Sequence, residues 1–242
     1  MLDPLTPLQI CLAGCIILAG TIVQGSVGFG LGLVAAPILT LINPMLVPGP
    51  ILLLGLLLAM LMSVRERRAM DVTGLKWGLV GRLVGSAVAA AVVASIPKTT
   101  TSVILGALVL LAVVLSISGL DLQPTQGALL GAGTLSGFMS TTASTGGPPI
   151  ALLYQRASGE RLRSTMSGYF IVGTIISIVA LALVGQFGRF EVLAALVMLP
   201  GMLLGYVLSG RLVTLLDRGY TRGIVLLVSA ASSIAVIVRA VW

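Results

Sequence analysis

Apolar residues run along the chain in ten stretches, at positions 8–23, 33–42, 47–64, 77–96, 102–118, 126–139, 149–154, 166–184, 192–208 and 223–241. A helix rises about 1.5 Å per residue and the hydrocarbon core of a bilayer is about 30 Å thick. Six of these stretches, beginning at positions 47, 77, 102, 166, 192 and 223, are therefore expected to be full transmembrane helices. The remaining four are shorter than a standard span and fall in two pairs, 8–23 with 33–42 and 126–139 with 149–154. Between the members of each pair lies an uncharged stretch rich in Gly, Ser and Thr, at 24–32 and 140–148.

Composition agrees with this pattern. Of 242 residues, 57% are hydrophobic and only 9% are charged, against roughly 25% charged in a soluble domain. The expected class is an all-α integral membrane protein. A transmembrane β-barrel is excluded, because its strands alternate polar and apolar positions. The absence of His and the presence of only Cys11 and Cys15 argue against metal and redox chemistry. The two cysteines, four apart on one apolar helix, read as small packing residues. No cofactor is expected. The first seven residues contain no Lys or Arg, so the basic segment that opens a cleavable signal peptide is not expected there.

The formal net charge is +7, and in so apolar a chain basic residues report loop orientation rather than nucleic-acid binding. Two topologies compete. If each pair were one continuous helix, residues 8–42 would rise roughly 52 Å, too long for one ordinary span. If each pair is a re-entrant hairpin and the N-terminus lies outside, Arg65, Arg67, Arg68, Lys76, Arg156, Arg161, Arg163, Arg211, Arg218 and Arg222 are cytoplasmic. Only Lys98, Arg189 and Arg239 then lie outside, a count of ten to three with Arg82 set aside as intramembrane. The continuous-helix topology gives six inside and seven outside. The hairpin topology is preferred.

Five segments is an odd number, so a repeated unit must return upside down. At an offset of 112, Gly25 meets Gly137, Pro37 meets Pro149 and Ile38 meets Ile150. At an offset of 120, Gly81 meets Gly201, Leu83 meets Leu203 and Gly85 meets Gly205. The expected architecture is two inverted repeats of about five helical segments each, at 1–118 and 126–242, joined by a linker at 119–125. Their broken helices would meet near the bilayer midplane. Such repeats are a transporter architecture, with the binding site where the breaks meet.

Non-helical backbone within a membrane is tolerated only where it is packed in protein or faces water. Each break precedes a helix whose first N–H groups point back toward the centre and carry part of the helix dipole. With the Gln24 amide and the hydroxyls of Ser26, Thr141, Thr142, Ser144 and Thr145, two such ends would form an anion cradle. Its candidate residues are Gln24, Gly25, Ser26, Gly28, Gly30, Gly32, Thr141, Thr142, Ser144, Thr145, Gly146, Gly147 and Pro148. Gly81, Gly85, Gly201 and Gly205 read instead as sites of close helix packing. Arg82 is expected either to extend to the cytoplasmic surface or to line the substrate path. Arg65, Glu66, Arg67 and Arg68 read as a topology anchor.

The run Gln24-Gly25, then Gly28-Phe29-Gly30 and Pro37, with Gly146-Gly147-Pro148-Pro149 in the second half, resembles the TauE/SafE family of sulfite-exporter-like permeases. The resemblance covers essentially the whole chain. It implies a multi-pass transporter of the inner (cytoplasmic) membrane, linked in several members to sulfur-containing anions such as sulfite or organosulfonates. By position it implies a substrate region at 24–32 and 141–149. Together these readings lead to a secondary transporter for a small anion, embedded in a lipid bilayer, with neither an enzymatic nor a nucleic-acid role. A homo-oligomer is compatible with them, and no coupling ion is identified. The alternatives are a passive anion channel and a non-transporting scaffold subunit.

Overall fold

The computed structural model describes residues 5–65, 72–120, 122–216 and 220–242. Among the described residues ten α-helices follow one another: α1 (Pro7–Val27), α2 (Leu31–Ile42), α3 (Gly49–Arg65), α4 (Val72–Ser95), α5 (Lys98–Ile117), α6 (Gln126–Ala143), α7 (Gly147–Leu153), α8 (Gly159–Leu183), α9 (Arg189–Leu216) and α10 (Tyr220–Val241). A 3-10 turn at Pro44–Leu46 precedes α3. Among the described residues there is no strand. Seven of the described helices are long and apolar enough to cross a membrane: α1, α3 with its preceding turn, α4, α5, α8, α9 and α10.

That is one more than the six full spans expected from the sequence, and α1 is the difference. Its helix continues through Gln24, Gly25 and Ser26 to Val27, a rise of about 31 Å. These polar residues can stay helical because their groups are satisfied without leaving the helix. Ser26 Oγ donates to the Ile22 carbonyl at 2.8 Å, and Arg65 Nη2 donates to the Gly25 carbonyl at 2.8 Å. α6 likewise carries Ser140, Thr141 and Thr142 to its end at Ala143, with Thr141 Oγ1 on Ser177 and Thr142 Oγ1 unpartnered. The breaks are accordingly only three residues each, at 28–30 and 144–146.

Both pairs are hairpins. A Cβ on Gly20 would lie 3.0 Å from the Leu31 carbonyl, and Gln9 Nε2 donates to the Ile42 carbonyl at 3.4 Å, so α2 runs back along α1 to its start. A continuous helix over these residues is excluded. α7 likewise folds back on α6, where a Cβ on Gly146 would crowd the Ser136 carbonyl and the Ser140 side chain. One end of the bundle brings Arg65 against Ser209 and the Gly25 carbonyl, and Gly28 against Arg163. The chain also places Lys76, Arg156 and Arg161 at this basic end. Arg189 lies at the opposite end, as does Arg239, which donates to the Leu41 carbonyl. Arg67, Arg68 and Arg218, which the charge count used, lie outside the described residues, as do the side chains of Lys98, Arg211 and Arg222.

The packing relates α1–α5 to α6–α10. α1 packs on α9 as α6 packs on α4, α3 on α9 as α8 on α4, and α2 on α10 as α7 on α5. α3 and α8 pack on each other, as do α5 and α10. Glycines make the two principal crossings close. A Cβ on Gly81 or Gly85 would collide with the α6 backbone at Leu130 or Thr134, and one on Gly201 or Gly205 with the α1 backbone at Gly14 or Leu18. Close backbone approach favours helix association in lipid through van der Waals packing, since apolar side chains there gain nothing from leaving water.

Cys11 and Cys15 depart from expectation, since both are exposed. α1 turns Ala13, Ile17, Gly20, Thr21 and Gln24 to the bundle, and the cysteines lie off that face. Arg82 is wholly buried and therefore does not extend to the surface.

Candidate functional site

The first break is built on glycine. Gly28 caps α1 in a left-handed conformation, φ 100°, with its N–H on the Gln24 carbonyl at 2.7 Å. Gly30 follows at φ 130°. The second break makes the same reversal with a side chain present: Ser144 stands at φ 57°, and its N–H meets the Ser140 carbonyl at 2.8 Å. The left-handed region costs a non-glycine residue about 1–2 kcal/mol. Ser144 Oγ offsets part of that by donating to the Pro48 carbonyl at 3.0 Å.

The breaks touch. Gly32 lies so close to the Ser144 carbonyl that no Cβ would fit between them, and the Phe29 side chain covers Gly147. Where they meet is a cavity of about 40 Å³, little more than the roughly 30 Å³ that one water takes up in the liquid. Its wall takes Gln24, Gly30, Gly32, Ser144, Thr145, Gly147 and Pro148 from the two hairpins. Gln24 is 6% exposed, and its Oε1 accepts the Leu31 N–H at 3.1 Å. That bond tethers the start of α2 to α1 and leaves the Gln24 amide NH₂ as the donor end. Thr145 Oγ1 is buried without a hydrogen-bond partner.

The other sequence candidates lie elsewhere. Gly25 packs on Ser209, Gly28 on Arg163, and Gly146 on Ser136 and Ser140. Ser26 bonds its own helix, and Thr141 Oγ1 donates to Ser177 on α8 at 2.9 Å. Thr142, its Oγ1 also unpartnered, lines a second cavity of about 330 Å³ toward the end that carries Arg189, together with Pro48, Gln186 and Glu191. The Ser144–Pro48 hydrogen bond lies between this cavity and the central one. A third cavity of about 170 Å³ opens toward the basic end, walled by Val27, Phe29, Gln155 and Leu162. Gly30, Leu33 and Pro148 belong to both the third cavity and the central one, with Phe29 at their junction.

Two expectations need correction. The second hairpin offers fewer helix-end donors than expected, because Pro148 and Pro149 occupy the first turn of α7 and carry no N–H, which leaves those of Gly146 and Gly147. Arg82 does not line any of the three cavities; it sits behind the central wall, donating to Ser140 and Ser136. Sequence reasoning also missed part of the wall: Ser140 on α6, Ile51, Leu52 and Gly55 on α3, and Phe170 and Thr174 on α8. The hydroxyl spacing of Ser167, Thr174 and Ser177 in an apolar span puts all three on one helix face, a signal that could have pointed to α8.

A bundle of membrane-spanning helices whose two interrupted helices meet at a small buried polar cavity has the architecture of a multi-pass membrane transporter. The particular family is known: the chain belongs to the family described as Sulfite exporter TauE/SafE, whose model matches residues 12–236. No curated protein and no solved structure matches the chain.

Proposed function

We propose that this protein is a secondary transporter that moves a small anion, a sulfur oxyanion such as sulfite or a small organosulfonate, across the cytoplasmic membrane. The observation that carries the reading is the small cavity lined by both hairpins where the two breaks meet, with a larger cavity on either side of it. Gln24, Gly30, Gly32, Ser144, Thr145, Gly147 and Pro148 hold the anion, the Gln24 NH₂ being the side-chain donor from the first hairpin. Thr142 meets it in the cavity toward the end that carries Arg189. Gly25, Ser26, Gly28, Thr141 and Gly146 serve the site indirectly, by fixing the helices that carry it.

The protein consists of two inverted repeats, 1–118 and 126–242, with the basic end in the cytoplasm, as short basic loops prefer. The repeats exchange access by opening one partition at a time: Ser144 against Pro48 on one side, Phe29 against Gly147 on the other. A passive pore would need both open together, and the two partitions favour the transporter over it.

Reconstituted protein loaded with unlabelled sulfite should accumulate labelled sulfite by counterflow, which an open pore does not produce. Gln24→Glu keeps an acceptor for the Leu31 N–H while replacing the NH₂ donor with a carboxylate. It should leave membrane abundance unchanged and abolish counterflow. Linear, non-saturating flux in the wild type would favour the channel, and full counterflow by Gln24→Glu would sink the site assignment.

A further inference from the structure

Arg82 lies about 15 Å along α4 from its start and is 0% exposed. Its Nη2 donates to Ser140 Oγ at 2.7 Å and its Nη1 to Ser136 Oγ at 3.3 Å. Its Cζ stands 4.9 Å from the Tyr169 ring centroid and 6.0 Å from that of Phe170. α8 makes room for it at Gly173, where any Cβ would collide with the guanidinium. The side chain is thus held from two sides with its charge in place.

That charge has no carboxylate partner among the described residues. Of the described acids, Glu160 is exposed at the start of α8, and Glu191 accepts the Gly188 N–H near the far end of the bundle. An arginine cannot shed its proton to escape burial, and an isolated buried charge is strongly unfavourable unless something of opposite sign comes near it. Two hydroxyls and an aromatic face soften the cost without cancelling the charge.

The hydroxyls it holds connect it to the central cavity. Ser140 is part of that cavity's wall. Because Ser140 Oγ accepts from Arg82, its own proton remains available for an acceptor in the cavity. Ser136 Oγ accepts from Arg82 and donates to the Gly146 carbonyl, which fixes the second break. We propose that Arg82 is the positioning residue and fixed counter-charge of the central cavity. It orients Ser140 as a donor and makes the cavity favour anions by charge, the bound anion being its missing partner. This rests on the reading of that cavity as an anion site. For an anion about 7 Å from a fixed unit charge at an effective dielectric of about 20, that charge would change the dissociation constant of a monovalent anion by roughly fiftyfold, and that of a divalent anion by more.

The test is isothermal titration of purified protein with sulfite, sulfate and chloride, alongside thermal unfolding. Arg82→Lys should retain anion binding to within about tenfold, since it keeps the charge. Arg82→Gln should lose at least tenfold for chloride and more for sulfate, flattening the preference for divalent over monovalent anions; a purely structural role would weaken all three alike. Ser140→Asp gives Arg82 a permanent partner. It should unfold at a higher temperature than wild type and bind none of the three, and it keeps the test alive if Arg82→Gln does not fold. Folded Arg82→Gln with wild-type affinities, or Ser140→Asp that still binds sulfate, would overturn the role of Arg82 while leaving the anion site standing. Wild type that binds no anion would instead remove the site and this role together.

Discussion

Replacing Gly32 with alanine would put a methyl group where the Ser144 carbonyl already lies. Both partners are backbone, so no side chain can turn aside to relieve the clash. The hairpins must separate by about an ångström or more to restore ordinary contact. Gly32 is helical, in the first turn of α2, so alanine has no conformational objection to the position and the effect isolates the contact. Overpacking of this kind costs about 1–3 kcal/mol. Losing the Ser144–Pro48 hydrogen bond as Ser144 moves would add about 0.6 kcal/mol, the average for such bonds inside membrane proteins. At about 2–4 °C per kcal/mol for a chain of this size, the unfolding midpoint should fall by roughly 3–14 °C. Because Gly32 and Ser144 both wall the central cavity, transport should fall with it.

The assay is thermal unfolding of the purified protein in detergent, paired with anion uptake in proteoliposomes. Gly131→Ala is the matched control: it lies on α6, and a Cβ there meets nothing within 4 Å. It should be neutral or stabilising by up to about 1 kcal/mol, the ordinary helix preference of alanine over glycine. Wild-type stability and uptake in Gly32→Ala would refute the reasoning, since the two breaks could not then be in contact and the cavity between them would not exist as described.

Three further outcomes separate site from scaffold. Phe29→Ala removes the ring at the junction of the central cavity and the one toward the basic end, so it should convert saturable uptake into leak, read as anion flux without counterflow. Thr145→Val deletes a buried hydroxyl that has no protein partner, at nearly constant volume. An unsatisfied buried group costs about 1–3 kcal/mol, so the variant should unfold at the same or a higher temperature while its anion affinity falls; a fall in both would place Thr145 in the scaffold. Thr141→Val loses the 2.9 Å bond to Ser177 and should cost about 0.6–2 kcal/mol of stability with no change in the KM for transport.

The two hairpins were legible because their signals are one-dimensional. A gapless apolar run reports a span, a charge-free Gly/Ser/Thr stretch between two short runs reports a break, and basic loops separate one topology from the other. The limits of the breaks were not legible. Gln24, Gly25, Ser26, Ser140, Thr141 and Thr142 look like loop residues by composition, yet all six remain helical, and for several of them the partners come from other helices. Arg65 on the Gly25 carbonyl and Ser177 on Thr141 are examples, and the sequence separations, 40 and 36 residues, put these partners beyond any local pattern. Arg82 posed the same difficulty. Its position within an apolar run marked it as unusual, but whether it reached the surface, lined a path or stood behind one depended on Ser136, Ser140 and Gly173, which only the fold brings together.

The two halves are similar in packing and different in chemistry, and the difference has a direction. In the first half the α1 carbonyl at Gly25 is taken by Arg65 at the basic end of the bundle. In the second half the corresponding α6 carbonyl at Gly137 is approached by Ser86 Oγ at 3.5 Å, and the arginine lies deeper, behind the cavity. The first break reverses with glycines and closes with an aromatic ring. The second reverses with Ser144 and closes with a hydroxyl–carbonyl hydrogen bond. A ring packed on glycine is held mainly by apolar contact, whereas the Ser144–Pro48 bond trades directly against a polar ligand that offers Ser144 a better acceptor. An anion entering beside Thr142 can therefore compete for the Ser144 hydroxyl in a way that one approaching Phe29 cannot. The two proposed repeats would in this way differ in which partition answers the substrate.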